Sequence, residues 1–271
     1  MAEQPRLSLA DAGGRPSSPI PVSVAIITRD EEERLPGCLA SLGFADEIVV
    51  VDSGSVDRTI EIAASYGARV LNEEWRGFSG QKQLAVDLCR HDWVLILDAD
   101  ERIPPKTATV IREALFLPDP EVAAFGFRRK NYLHGRWVKH CGWWPDRIVR
   151  LVDRRRGRFD GRPVHEQWLT EGDERDLKAS IEHISFQSYS QLVEKMERYS
   201  SLGARELFEK GVKACVFTPL LHSLWMFLKT YGLERGFLDG FDGLVISTMN
   251  AGGSFLKYAK LREMWKENLR S

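Results

Sequence analysis

The chain has 271 residues, 43% hydrophobic and 28% charged. That is long enough to bury a sizeable core, and it excludes a wholly disordered, a collagen-like or a polytopic membrane chain. Lys and Arg number 38 against 39 Asp and Glu, a formal net charge of −1, where a general nucleic-acid binder would carry a basic excess.

Residues 1–21 hold Pro5, Pro16, Pro19 and Pro21 with Gly13 and Gly14 and no continuous apolar stretch. They are expected to form a disordered tail and not a secretory leader. Val22–Thr28 (VSVAIIT) then predicts a buried strand, Glu32–Leu42 a helix, and Glu47–Asp52 (EIVVVD) a second buried strand. Asp57–Tyr66 has helical spacing stopped by Gly67, and Ala68–Leu71 reads as a short third strand. Ser79–Cys89 is a helix, Trp93–Leu97 (WVLIL) a fourth buried strand, and Pro105–Leu117 a helix with proline at its start. Strands alternating with helices at this spacing imply an α/β fold, a mostly parallel sheet covered on both faces. After about Val122 the alternation breaks down. Ala123–Tyr132 remains as a strand and Gln191–Lys210 as an amphipathic helix, and the last sixty residues are apolar and aromatic. The four cysteines, Cys38, Cys89, Cys141 and Cys215, form no C-x-x-C pair. They read as reduced thiols of a cytoplasmic protein.

Ligands of open α/β sheets gather at the carboxyl ends of the strands. Three such ends carry polar chemistry here: Thr28-Arg29-Asp30-Glu31, Asp52-Ser53-Gly54-Ser55 and Asp98-Ala99-Asp100-Glu101. Two carboxylates one residue apart at the mouth of an apolar strand suit Mg²⁺ or Mn²⁺, which take oxygen ligands and phosphate oxygens together. Asp52 suits a base N–H or a ribose hydroxyl, or a turn before Ser-Gly. Asp57 reads as the cap of the helix that follows it. P-loop, dinucleotide-binding and nucleophile-elbow motifs do not occur.

SVAIITRDEEERLPGCLASL, EIVVVDSGSVDRTIEIA, GFSGQKQLA and WVLILDADER together resemble the family-2 glycosyltransferases of GT-A fold. WWPDRIVRLVDRRRGRFDGRPVHE, IEHISF and GFLDGFDGLVI resemble a bacterial subgroup that includes the lipopolysaccharide core β-glucosyltransferases. The resemblance implies a UDP-sugar donor with glucose as its sugar, a divalent cation and inversion at the anomeric carbon. It implies that Thr28 and Glu31 contact the nucleotide, that Asp52 binds uracil and that Lys82 lines the donor site. It also implies that Asp100 ligates the metal directly, with Asp98 facing the ribose or donor sugar and His183 completing the metal shell. Asp30 stands where the family commonly has Asn. The Glu-Asp pair that supplies the general base in many members is missing, and Glu166, in Val164-His165-Glu166, is the candidate in its place. His165 is a candidate for orienting the acceptor.

Arg128 to Arg162 contains twelve Lys and Arg against three Asp, interleaved with Tyr132, Trp137, Trp143, Trp144 and Phe159. Arginine forks grip phosphates and tryptophan faces stack on sugars, which suits a phosphorylated, anionic glycolipid acceptor. A solvated charged face is the plainer reading, and an RNA surface lacks a supporting motif. From Ser254 on, bases interleaved with Phe255, Leu256 and Trp265 suggest an interfacial helix that binds peripherally to the inner face of the cytoplasmic membrane. An oligomer interface, or a helix packed on the catalytic domain, is the alternative. The linear division expected is a tail over 1–21, a GT-A domain over 22–190 and a helical section over 191–271. The competing functions are a sugar nucleotidyltransferase, which would carry a Gly-rich basic loop after strand one, and a non-catalytic membrane or nucleic-acid binding module.

Overall fold

The structure, a computed structural model, describes residues 19–116, 119–162 and 166–268. The expected tail falls outside this range except for its end, where the first strand begins at Ile20. In chain order the first elements are β1 (Ile20–Thr28), α1 (Leu35–Ala40), β2 (Ala45–Asp52), α2 (Thr59–Ser65), β3 (Arg69–Asn72), α3 (Gly77–Asp87) and β4 (Trp93–Asp98). They are followed by β5 (Glu101–Arg102), α4 (Pro105–Phe116), β6 (Val122–Leu133), β7 (Arg136–Trp137), β8 (Asp146–Asp153), β9 (Gly157–Phe159), β10 (Trp168–Thr170) and β11 (Asp173–Phe186). Three helices close the chain: α5 (Tyr189–Glu209), α6 (Thr218–Phe227) and α7 (Gly240–Asn268).

The chain divides into two compact units, Met1–Arg129 with Arg147–His183, and Lys130–Asp146 with Ile184–Ser271. This differs from a linear cut at residue 190, because Lys130–Asp146 belongs with the C-terminal helices. The main sheet has the order β3-β2-β1-β4-β8-β6-β11-β5, with β7 on the end of β6. Its first four strands are parallel. β8 runs antiparallel to β4, and β5 antiparallel to β11. β9 and β10 form a separate antiparallel pair.

In the first unit, side chains alternate across β1. Val22, Val24 and Ile26 join a core with Leu35 and Leu39 of α1, Ala63 of α2 and Ile111 of α4. Ala25 faces the other way, into a core with Val49, Val51, Ile96 and the α3 residues Ala85 and Val86. Helices thus cover both faces of the parallel strands, which is why those strands read as unbroken apolar runs. α1 starts three residues later than the spacing predicts, because Pro36 sits in its first turn. Glu31 to Arg34 form the approach to the helix instead.

In the second unit, Leu133, Val138, Cys141, Phe186, Leu192 and Ile246 form the core. The helix expected from Ser254 is the second half of α7, which begins at Gly240. Gly253 lets α5 lie close against it: a Cβ there would stand 3.1 Å from Met196 Cγ. Lys260 Nζ reinforces the packing, donating to Glu197 Oε1 at 2.7 Å and to the hydroxyls of Ser200 and Ser201 at 2.8 Å. All four cysteines are free thiols, three of them buried.

Candidate active site at the strand ends

The parallel register brings the three polar strand ends level. Thr28 pairs with Asp52 across β1 and β2, and Ile27 with Asp98 across β1 and β4. Asp52 is fully buried. Its Oδ1 accepts from the Thr28 hydroxyl at 2.9 Å, and its Oδ2 from the Gly54 and Ser55 backbone N–H groups at 2.9 and 2.8 Å. Ser55 Oγ adds a further short bond to Oδ1. Gly54 takes φ of +82°, which this tight turn requires. The carboxylate read as a uracil acceptor is thus occupied by its own turn, as is its partner Thr28.

Asp30 takes φ of +54°, where Asn and Asp are the best tolerated side chains. Its Oδ1 accepts from the Val56 N–H at 2.8 Å and its own N–H donates to Ser55 Oγ at 2.9 Å. These two bonds hold the loop after β1 against the loop after β2. Asp57 accepts from the Thr59 N–H at 2.9 Å and from the Glu32 N–H at 3.0 Å, tying the two loops together. Glu31 lies 3.4 Å from Arg34. Burial pushes its carboxyl up, Arg34 opposes that, and the neighbouring Asp100 adds to it.

Lys82, on α3, is 5% exposed. Its Nζ lies 2.7 Å from Asp98 Oδ1 and 2.8 Å from Glu166 Oε1. The other Asp98 oxygen, Oδ2, lies 2.5 Å from an Arg150 nitrogen that also reaches Glu101 Oε1 at 2.7 Å. Glu101 is fully buried; its Oε2 accepts from the Asp98 N–H at 3.1 Å, and Arg129 lies 3.3 Å from its Oε1. Burial alone would push the Asp98 carboxyl up, but Arg150 and Lys82 outweigh it and hold the group well below the usual carboxylate range. Arg150 is raised in turn: burial works against it, and Asp98 and Glu101 overcome that.

Asp100 points elsewhere. The antiparallel pairing of β5 and β11 sets His183 opposite Glu101 and brings His183 Nε2 to 3.2 Å from Asp100 Oδ2. Among the described residues no three His, Cys, Asp or Glu side chains form a ready-made metal cage. A carboxylate oxygen and an imidazole nitrogen facing one another still fit a divalent cation that takes its remaining ligands from water and phosphate. Asp98 does not fit as a direct ligand, since each of its oxygens already meets a cation. The structure thus gathers Lys82, Asp98 and Glu166 in one network and pairs Asp100 with His183. His165 lies outside the described residues. The sequence reading places Glu101 only at the polar strand end and Arg150 only within the basic run, and gives neither a part in this network. The available signal was an arginine inside the apolar run Ile148–Val152, concealed by the basic residues around it.

The basic run is largely structural in the first unit. Arg155 holds Asp153 through two bonds of 2.9 and 2.7 Å and reaches Asp92 at 2.9 Å. Arg156 donates to the carbonyls of Pro120, Glu121 and Val122, and Arg154 to that of Asp87. These three are therefore not a free grip for acceptor phosphates. In the second unit Lys130 and Lys139 lie 4.7 and 4.8 Å from the Trp137 ring centre, leaving a cationic aromatic platform.

Residues 23–169 match the model of glycosyl transferase family 2. The chain belongs to that family. It is 32% identical over 255 residues to an uncharacterized glycosyltransferase of Rickettsia typhi, covering 90% of this chain and 87% of the relative. It is 32% identical over 260 residues to the lipopolysaccharide core biosynthesis glycosyltransferase LpsC of Rhizobium meliloti, covering 89% and 94%. Among solved structures, it is similar to glucosyl-3-phosphoglycerate synthase from Mycobacterium tuberculosis in complex with Mn²⁺, UDP and glucosyl-3-phosphoglycerate. The TM-score is 0.35 and the identity 19%, over 49% of this chain and half of that one. Family membership agrees with the expected fold class, GT-A followed by a helical section. It leaves the nucleotidyltransferase and binding-module readings without support.

Proposed function

We propose that this family-2 glycosyltransferase moves glucose from UDP-glucose, with inversion, onto an anionic glycolipid of the lipopolysaccharide-core type at the inner face of the cytoplasmic membrane. The observation that carries the reading is the Lys82 bridge between Asp98 and Glu166, level with the carboxyl ends of the parallel strands. It joins two carboxylates across a single ammonium group, which supports a donor-side role for Asp98 and a proton-accepting role for Glu166. The LpsC relative supports the acceptor class, and the platform of Lys130, Lys139 and Trp137 suits its negative charge.

In this mechanism the acceptor oxygen bonds to the anomeric carbon as the bond from that carbon to the UDP oxygen breaks. UDP leaves with the electron pair, and Glu166 takes the hydroxyl proton. As Glu166 becomes neutral, Lys82 keeps Asp98 as its counter-ion. Arg150 fixes Asp98 from the other side, so the donor meets a pre-set carboxylate. Thr28 and Asp52 act on the nucleotide side through the turn they hold, and Glu31 sits at its edge. Asp100 and His183 would hold a Mg²⁺ or Mn²⁺ ion, which supplies charge neutralisation on the leaving pyrophosphate.

Calorimetry with UDP tests this. UDP affinity should rise on adding Mn²⁺, and Asp100→Asn should abolish that rise and most turnover while the thermal melt is kept. Metal-independent UDP binding, or full turnover of Asp100→Asn in EDTA, would reject the assignment. The anomeric configuration of the product, read by NMR, decides inversion.

A further inference from the structure

In the second unit, the outer side of α6 carries Leu220, Leu221, Leu224 and Trp225, and its flanking residues Phe217 and Leu228 extend the row, each more than half exposed. Their spacing of three and four residues puts them on one stripe of the helix. The inner side packs on α7, with Pro219 buried. Beyond α6 the apolar exposure continues over Leu233 at 70% and Phe237 at 50%. Single exposed apolar side chains need no explanation, but a whole helix face of them marks an interaction surface. Its surroundings are cationic. From residue 210 to 238 the bases are Lys210, Lys213, Lys229 and Arg235 and the one acid is Glu234, 3.5 Å from Lys229; Lys210 pairs with Glu206 at 2.5 Å, while Lys213 and Arg235 stand in no ion pair among those of the described residues. Among the described residues no helix is long and apolar enough to cross a membrane.

We propose that this face docks the protein on an anionic lipid bilayer, with the α6 stripe at the boundary of headgroups and acyl chains and the basic rim on the headgroups. An apolar stripe, a tryptophan and a basic edge are the composition that interfacial helices use. A second copy across a twofold axis would set the same cationic rim against itself, which disfavours self-association as the occupant. The helix after Ser254, the segment expected at the membrane, does not serve. Trp265 packs 4.7 Å from Phe208 and donates to the Val212 carbonyl at 2.7 Å, and Arg262 donates to the Ala214 carbonyl at 2.8 Å. The proposal rests on the glycolipid reading only in that a lipid-linked acceptor gives the docking a purpose.

The full chain is sedimented with vesicles of phosphatidylcholine and phosphatidylglycerol that contain no glycolipid. Wild type should bind, more weakly in about 0.5 M salt but without complete release, because salt screens the basic rim and not apolar insertion. Leu221→Glu with Trp225→Glu should lower the partition coefficient about tenfold or more, with melting temperature and UDP affinity kept. If that pair fails to fold, Leu220→Ser with Leu224→Ser replaces it. Wild type that stays in solution, or a folded pair that binds as well as wild type, overturns the proposal. So does a lipid-free dimer that the pair converts to monomer, which would make a second copy the occupant. Transfer to a deacylated, water-soluble acceptor keeps the two readings apart. The paired variant should retain it, whereas its loss in wild type would count against the reaction and not the docking face.

Discussion

Asp98 is the residue on which the site turns, and its neighbours give it different partners for structure and for chemistry. Arg150 ties it to Glu101, which is fully buried. Removing one partner of a buried ion pair leaves a charge without compensation and costs about 3–5 kcal/mol. Arg150→Met should therefore lower stability by that order in urea unfolding, and the double variant Arg150→Met with Glu101→Gln should recover part of the loss. An Arg150→Met protein as stable as wild type would show that the network contributes little to folding. On the other side, Lys82 leads to Glu166. If Glu166 accepts the acceptor proton, Glu166→Gln should cut kcat by roughly 10²–10⁴-fold, the scale of a positioned general base. UDP-sugar binding should persist, because Lys82 keeps Asp98. An unchanged kcat would move the proton to another group.

At the scale of elements, α7 and α5 behave as one packed pair. Leu261 is fully buried, and Lys260 bonds three α5 side chains. Leu261→Ala should cost about 2–5 kcal/mol, seen as a lower melting temperature, while vesicle binding at a temperature where the variant is folded stays at the wild-type level. Loss of vesicle binding from that folded variant would return the tail to the membrane. The elements that were legible in the sequence share one property, burial on both sides. β1, β2 and β4 lie between two helical layers, so their apolar runs stand out. β11 does not: DERDLKASIEHISF has its first half exposed and its apolar residues scattered. No periodic run announces it, yet its pairing with β5 is what carries His183 to Asp100. The D-x-D was legible for the same reason as β4, while its division into a cation-held Asp98 and a His-paired Asp100 depends on Arg150 and His183, both distant in sequence. The arginine run misled because charge composition does not distinguish a side chain that donates to backbone carbonyls, as Arg156 does, from one left for a ligand.

Across the molecule, the distribution of strongly held carboxylates is uneven. Among the described residues, the acids held below their ordinary range are Asp46, Glu47, Asp57, Asp98, Asp119 and Asp153. All of them belong to the first unit. At Asp98 and Asp153 burial works against ionisation, and Arg150 with Lys82, or Arg155 with the Arg155 N–H, overcomes it. At Glu47 the Ser23 hydroxyl and the Arg90 N–H do the same. A carboxyl whose folded pKa is depressed adds stability above its unfolded pKa, about 4 for Asp and Glu, and loses it as pH falls through the folded value. Glu31 has the opposite sign: its raised pKa makes the folded state bind a proton more tightly, so its unfavourable burial is relieved on acidification. Asp98 is the most strongly held of these groups, so the net effect of acid is a loss of stability centred on the first unit. Hydrogen exchange followed peptide by peptide, corrected for intrinsic rates, should therefore show protection in β1, β2 and β4 falling between about pH 5 and pH 2, while α5 and α7 change less. In Asp98→Asn the acid-dependent part should shrink, because the group that Arg150 and Lys82 hold ionised can no longer titrate. Equal loss of protection in both units, or an acid response unaltered in Asp98→Asn, would place the acid-sensitive contacts elsewhere than in the pocket of Lys82 and Arg150.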